Sequence, residues 1–200
     1  MSVLSAQDHA QRWTLLVVLV LNAALFAGLG LAGILADSSA LIANAVDNAS
    51  DAVVYLLSFL AVGRSLLWKR RAARTSGILL LIFAVGVLLD AGRRWLFGAE
   101  PLGMTMMAMA LVAAITNVIC LVLIRRAQSD DVNMRAAETF SFNDFASNGG
   151  ILVAGGLVMW LDQAWPDLVV GVIVAIIAVK GGLEILEDAR RTGEDQDRLP

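Results

Sequence analysis

Two aspartates, Asp47 and Asp51, lie one helical turn apart in an otherwise apolar stretch of the sequence. In a helix of about 3.6 residues per turn, they share a narrow face with Asn44 and Asn48. Because carboxylate and amide oxygens are ligands for divalent cations, this spacing indicates a polar stripe that can bind a cation. Lipid cannot solvate such a stripe, so it must face protein or water.

A second polar face is predicted farther along the chain, around Asp144, the only ionisable group deep in its segment. It shares a helical face with Asn133, Ala137, Phe140, Ser147 and Asn148. Three carboxylates at this depth need partners, because like charges that converge without a counter-ion repel each other. Either protons neutralise them or a divalent cation bridges them, with amide oxygen or water completing its shell.

Polar side chains inside a helix bundle also bond helices to one another. That is the expected role of these residues: Asn22, Asn44, Asn117 and Ser147. The aspartates differ, because an ionised carboxylate in the middle of a spanning helix costs about 2.5 to 3.5 kcal/mol and an amide would avoid that cost. We therefore expect the three aspartates to bind a cation or protons and not merely to hold helices together.

Membrane-spanning helices must hold these stripes, because the composition is that of a membrane protein. Of 200 residues, 58% are hydrophobic and 16% are charged. One crossing takes about 20 apolar residues, so the chain has room for about six. Apolar stretches predict spans at residues 13–35, 39–67, 75–97, 104–124, 134–161 and 166–185. The predicted fold is an all-α membrane protein, a six-transmembrane-helix bundle.

The Lys and Arg residues predict the orientation, since they concentrate on the cytoplasmic side of membrane proteins. With both termini inside, every basic residue except Arg93 and Arg94 lies on that side, and none is expected at the depth of the aspartates. This topology gives a cytoplasmic N-terminal tail at 1–12, a six-helix transmembrane domain at 13–188 and a short cytoplasmic tail at 189–200.

The sequence resembles the cation diffusion facilitators, a family of metal transporters. Residues 39–52 look like the family's second helix, in which a His or Asp and an Asp four residues later bind the transported metal. Asp47 and Asp51 match those two positions. Residues 133–147 are similar to the family's fifth helix, and Asp144 matches its metal-binding Asp. The resemblance extends over nearly the whole chain.

The resemblance implies a metal site formed by Asp47, Asp51 and Asp144, with Asn48, Asn143 or water as auxiliary ligands. Phe140 takes the position, four residues before Asp144, that is usually a His in zinc-transporting members. It either fills core volume beside a three-carboxylate site or marks a degenerate site. Carboxylates without an imidazole favour harder cations such as Mn²⁺, although Zn²⁺ and Cd²⁺ also bind oxygen-rich sites. The family's cytoplasmic metal-binding domain is expected to be missing.

The function that the resemblance implies is efflux of a divalent metal cation of the Zn, Cd or Mn type, in exchange for protons and by alternating access, with no bound cofactor. The alternative is a non-transporting membrane scaffold or partner subunit with a degenerate metal site. A membrane enzyme is disfavoured, because the only histidine, His9, precedes the first predicted span and no nucleophile–base pair is apparent.

The expected partners are divalent metal ions, protons, membrane lipids and a second copy of the chain, held as a homodimer through transmembrane helices. Nucleic acid is not expected, because the basic residues are distributed as a topology signal. The expected location is a bacterial inner membrane, with both termini cytoplasmic.

Overall fold

The computed structural model describes residues 6–61, 66–126 and 132–194, and these form six helices without strands. The helices are α1 (Ala6–Leu35), α2 (Ser39–Ala61), α3 (Leu66–Phe97), α4 (Gly103–Arg126), α5 (Val132–Leu161) and α6 (Trp165–Glu194). Some side chains within them, including those of Phe140 and Asn143, lie outside the described residues. The predicted all-α, six-helix fold is confirmed.

Four helical segments are long and apolar enough to cross a membrane, counted over the described residues. They are Arg12–Leu35, Ala73–Phe97, Gly103–Arg126 and Trp165–Glu187. Large apolar side chains such as Leu31, Leu89 and Ile176 point outward from the bundle. Water-facing helices carry polar residues on that surface, so this exterior is the surface of an integral membrane protein. The remaining two helices, α2 and α5, carry the aspartates.

Helix α2 lies at the centre of the bundle. Within the described residues it contacts all five other helices, while the most extensive contacts join α1 to α2, α4 to α5 and α3 to α6. Asn44 and Asn48 of α2 are completely buried. The two asparagines of the α2 polar stripe are therefore surrounded by protein, one of the two environments that the sequence predicts for the stripe.

Glycines bring neighbouring helices into backbone contact. A Cβ atom added at Gly103 of α4 would lie 2.6 Å from the carbonyl oxygen of Gly155 in α5. One added at Gly77 of α3 would lie 3.2 Å from the carbonyl oxygen of Gly182 in α6. Larger side chains would push these helix pairs apart, which is the usual reason for small residues in membrane bundles.

A buried aspartate of α6 caps the beginning of α2. The carboxylate of Asp167 accepts hydrogen bonds from the Ser38 hydroxyl (2.5 Å) and from the backbone N–H groups of Ser39 (2.7 Å) and Ala40 (3.1 Å). The first N–H groups of a helix have no partner within it, and a negative charge at that end is favourable. We call these contacts the α2 cap.

A buried arginine forms a second connection at the same end of the bundle. Arg94, near the end of α3, is 5% exposed and bonds to Asp90 (2.5 Å) and to Asp37 in the loop between α1 and α2. The other carboxylate oxygen of Asp37 accepts the backbone N–H of Glu100 (2.9 Å). We call these contacts the Arg94 clasp. With the α2 cap, it joins α3 and α6 to the start of α2.

The α2 cap makes a stability prediction. Asp167→Asn removes the charge and turns an amide donor towards backbone donors, so it should lower the free energy of unfolding by about 2 kcal/mol. The readout is the apparent melting temperature of the purified protein in detergent. Asp162→Asn is the matched control, because Asp162 is exposed in the loop before α6. Equal melting temperatures for the two variants would contradict this role of Asp167.

Candidate metal centre

The three predicted aspartates lie along one cavity between α2, α5 and α6. Asp47 and Asp51 project from α2 and Asp144 from α5, and together they line a space of about 570 Å³. Asp51 is 5% exposed and Asp144 is 3% exposed, while Asp47 is half-buried. The helical spacing of Asp47 and Asp51 places both on the same wall.

Asp144 is the point at which the two predicted polar faces meet. Its side chain, which projects from α5, lines the same cavity as Asp47 and Asp51 from α2. With all three ionised, the group would carry three negative charges in a medium of low dielectric constant. Such a group requires protons or a cation.

Buried amides hold the two aspartate-bearing helices in register. The Asn44 side chain donates to the side-chain oxygen of Asn148 across the α2–α5 contact (2.8 Å). Asn48 donates to the backbone carbonyl of Asn44 (2.9 Å), and Asn148 donates to that of Asp144 (2.8 Å). Asn44 therefore bonds helices together, as predicted.

Two buried side-chain oxygens of α2 have unused bonding capacity, and of their residues Asp51, but not Asn48, is among those that line the cavity. Asn48 Oδ1 and Asp51 Oδ2 are buried and accept no hydrogen bond within the described residues. In the same part of the chain, no three His, Cys, Asp or Glu side chains stand as a ready metal-binding group. The aspartates thus share a cavity without enclosing a common point. The other predicted auxiliary ligand, the Asn143 side chain, lies outside the described residues.

The wall that α6 contributes differs from the sequence prediction. Most of it is apolar, but Lys180 and Glu184 also line the cavity. We predicted no basic residue at the depth of the aspartates, yet Gly181 lies beside Ser50: a Cβ added there would be 3.9 Å from the Ser50 hydroxyl. Lys180 lies in the middle of α6 and lines the cavity, whereas the sequence predicts that basic residues cluster at the ends of the spans.

A signal for this wall was present in the sequence. Residues 170, 173, 174, 177, 180, 181 and 184 recur at helical spacing and line the cavity together. Along this face of α6, the residues change from apolar to charged between positions 177 and 180. Helical spacing, unlike hydropathy alone, therefore puts Lys180 and Glu184 on the same face of α6 as the apolar residues that line the cavity.

Comparisons with known proteins find a matching family and several similar transporters. The family model described as the cation efflux transmembrane domain matches residues 67–192. The chain is 24% identical over 170 residues to a protein of Escherichia coli named zinc transporter ZitB, covering 78% of this chain and 54% of that protein. It is 22% identical over 171 residues to a protein of Bacillus velezensis named cadmium, cobalt and zinc/H(+)-K(+) antiporter, covering 78% and 55%.

The chain spans about half the length of these curated relatives. Their names are those of transporters, in agreement with the predicted class of membrane transporter. The matched family domain covers more than half of the chain, including α3, α4, α5 and most of α6. The chain therefore belongs to the cation efflux family.

Proposed function

We propose that this protein exports a divalent metal cation, which Asp47, Asp51 and Asp144 bind in the cavity between α2, α5 and α6. The observation that carries the proposal is the meeting of Asp144 with the other two aspartates along one cavity inside an integral membrane protein. Ionised carboxylates inside a membrane protein raise its free energy unless a cation or protons bind to them. The names of the relatives refer to zinc, cadmium and cobalt, which are ions of the same charge.

The donor atoms favour a cation with two charges. Three carboxylates supply charge and oxygen donors, one of them the unpartnered Asp51 Oδ2, and the unpartnered oxygen of Asn48 supplies a further coordination position. Small movements of the side chains would be needed to close the group around the ion, since the aspartates do not yet enclose a common point. Oxygen donors of this kind accept Mn²⁺, Zn²⁺ and Cd²⁺.

Alternating access is supported by the placement of the cavity relative to the contacts at the other end of the bundle. Along α6 the cavity runs from Val170 to Glu184, away from Asp167. The α2 cap and the Arg94 clasp hold α3 and α6 against the start of α2 at the opposite end. Opening the site to that end requires these contacts to separate while the cavity closes.

Proton exchange follows from the same charges. When the cation leaves, the crowded carboxylates need another positive charge, and protons supply it. A cation that arrives then displaces those protons, which couples the flow of metal to the flow of protons.

The proposed orientation has both termini in the cytoplasm of a bacterial cell, so that the cavity faces the cytoplasm. Two copies associate through their transmembrane helices.

Removal of either buried aspartate should abolish transport. In proteoliposomes containing a metal-sensitive dye, Asp51→Asn and Asp144→Asn should each slow Zn²⁺ uptake at least about tenfold. Even the loss of a residue that only supports a metal ligand lowers metal affinity or activity about 10- to 100-fold. Asp162→Asn, at the exposed loop, is the matched control. Uptake at the wild-type rate by either buried variant would show that the proposed site is wrong.

Protons should compete with the metal for the same oxygens. We expect metal binding to weaken as the pH falls, and metal uptake to release protons to the opposite side. Isothermal titration in detergent over a pH series measures the first effect, and a pH-sensitive dye inside the proteoliposomes measures the second. Metal uptake without any proton movement would contradict the exchange mechanism.

Phe140 makes a prediction about metal choice. Phe140→His would place an imidazole one helical turn before Asp144 and should shift preference towards Zn²⁺ relative to Mn²⁺. A transport panel of Zn²⁺, Cd²⁺, Mn²⁺, Co²⁺ and Fe²⁺, with the variant beside the wild type, tests this. An unchanged order of preference would contradict the assignment of position 140 to the site.

A further inference from the structure

The cavity that the aspartates line is also lined by a positively charged side chain. Lys180 is the one basic side chain among the described residues that line it. Its Nζ atom lies 3.8 Å from Glu184 Oε1, one helical turn farther along α6. Both side chains are largely exposed, with fractions of 78% and 61%, so neither is locked by packing.

Lys180 and Glu184 line the same cavity as the aspartates, on a part of α6 that packs near Ser50 of α2. Gly181 follows Lys180 and lies beside Ser50, which in turn precedes Asp51. Lysine carries its charge on a flexible four-carbon stem, so its ammonium group can exchange partners without movement of the helix. An ammonium group that shares a cavity with several carboxylates is attracted to them by Coulomb's law.

We propose that Lys180 is a positioning and specificity-determining residue on the path of the cation, a tethered counter-charge that a divalent ion must displace. This inference rests on the proposed function and extends it. When the aspartates hold no metal, the ammonium group exchanges between Glu184, its partner in this structure, and the aspartates. When a divalent cation arrives, the ammonium group moves to Glu184, which accepts it as an ion-pair partner.

The exchange gives selectivity by charge. A monovalent ion has no electrostatic advantage over the ammonium group, whereas a divalent cation interacts about twice as strongly with the same carboxylates. The ammonium group of Lys180 therefore excludes monovalent ions from the aspartates and also assists release of the metal. Glu184 acts through Lys180, because its carboxylate lowers the free energy needed to move the ammonium group away from the aspartates.

The two single variants should change transport in opposite directions. In proteoliposomes, Lys180→Gln should lower the KM for Zn²⁺ about fivefold and also lower the maximal rate, because binding is tighter and release is slower. Glu184→Gln should raise the KM about fivefold, because the displaced ammonium group loses its partner. A purely structural defect would not lower KM in one variant and raise it in the other.

Three further variants fix the interpretation. Lys180→Arg keeps the charge and should restore a KM near that of the wild type. The double variant Lys180→Gln/Glu184→Gln should resemble Lys180→Gln, because Glu184 has nothing to accept once the lysine is gone. Glu187→Gln is the control for Glu184, since Glu187 is exposed on the same helix and is not among the residues that line the cavity. Added Na⁺ should inhibit Zn²⁺ uptake by Lys180→Gln and leave the wild type unaffected.

The outcomes separate this inference from the function on which it rests. Inactive Asp51→Asn together with wild-type KM values in both single variants would overturn the role of Lys180 and leave the metal site standing. A raised KM for Glu184→Gln that persists in the double variant would overturn the claim that Glu184 acts through Lys180. Absence of uptake by the wild type for every cation of the panel, Zn²⁺, Cd²⁺, Mn²⁺, Co²⁺ and Fe²⁺, would overturn the proposed function and this inference with it.

Discussion

The need to shield carboxylates from lipid organises this molecule. A carboxylate in the hydrocarbon region is tolerated only where protein or water surrounds it. The structure meets that requirement by placing α2 where it contacts every other helix of the described chain. Asp144 then reaches the same space from α5, and the small residues between α4 and α5 and between α3 and α6 let the bundle close tightly. The apolar exterior and the polar interior are two results of one constraint.

The sequence predicts the parts of the structure that depend on local periodicity. The shared face of Asp47 and Asp51, the face of Asp144 and the number of helices all follow from spacing along the chain, and the structure brings the three aspartates together. The ends of the helices were less predictable. α1 begins at Ala6, seven residues before the first predicted span, because a helix continues wherever its backbone bonds are satisfied, whether or not its side chains are apolar.

Contacts between residues distant in the sequence could not be predicted in this way. Ser38 and Asp167 are 129 positions apart, and nothing in either segment indicates that one would cap the other. Arg93 and Arg94 appeared equivalent as a basic pair outside the membrane. Neighbouring positions on a helix point about 100° apart, so Arg93 is exposed and bonds to Asp90, whereas Arg94 is buried and also reaches Asp37. Tertiary packing, which the pattern does not contain, decides between the two environments.

Helix α6 carries the α2 cap near one end and the Lys180–Glu184 pair towards the other. Since an uninterrupted helix joins them, the position of one determines the direction of the other, and inserting a single residue between them would rotate Lys180 by about 100° relative to Asp167. The segment therefore works as a spacer of fixed length. In related sequences, exchanges of one apolar residue for another between the positions of Asp167 and Lys180 should be common. Insertions and deletions there should be rare.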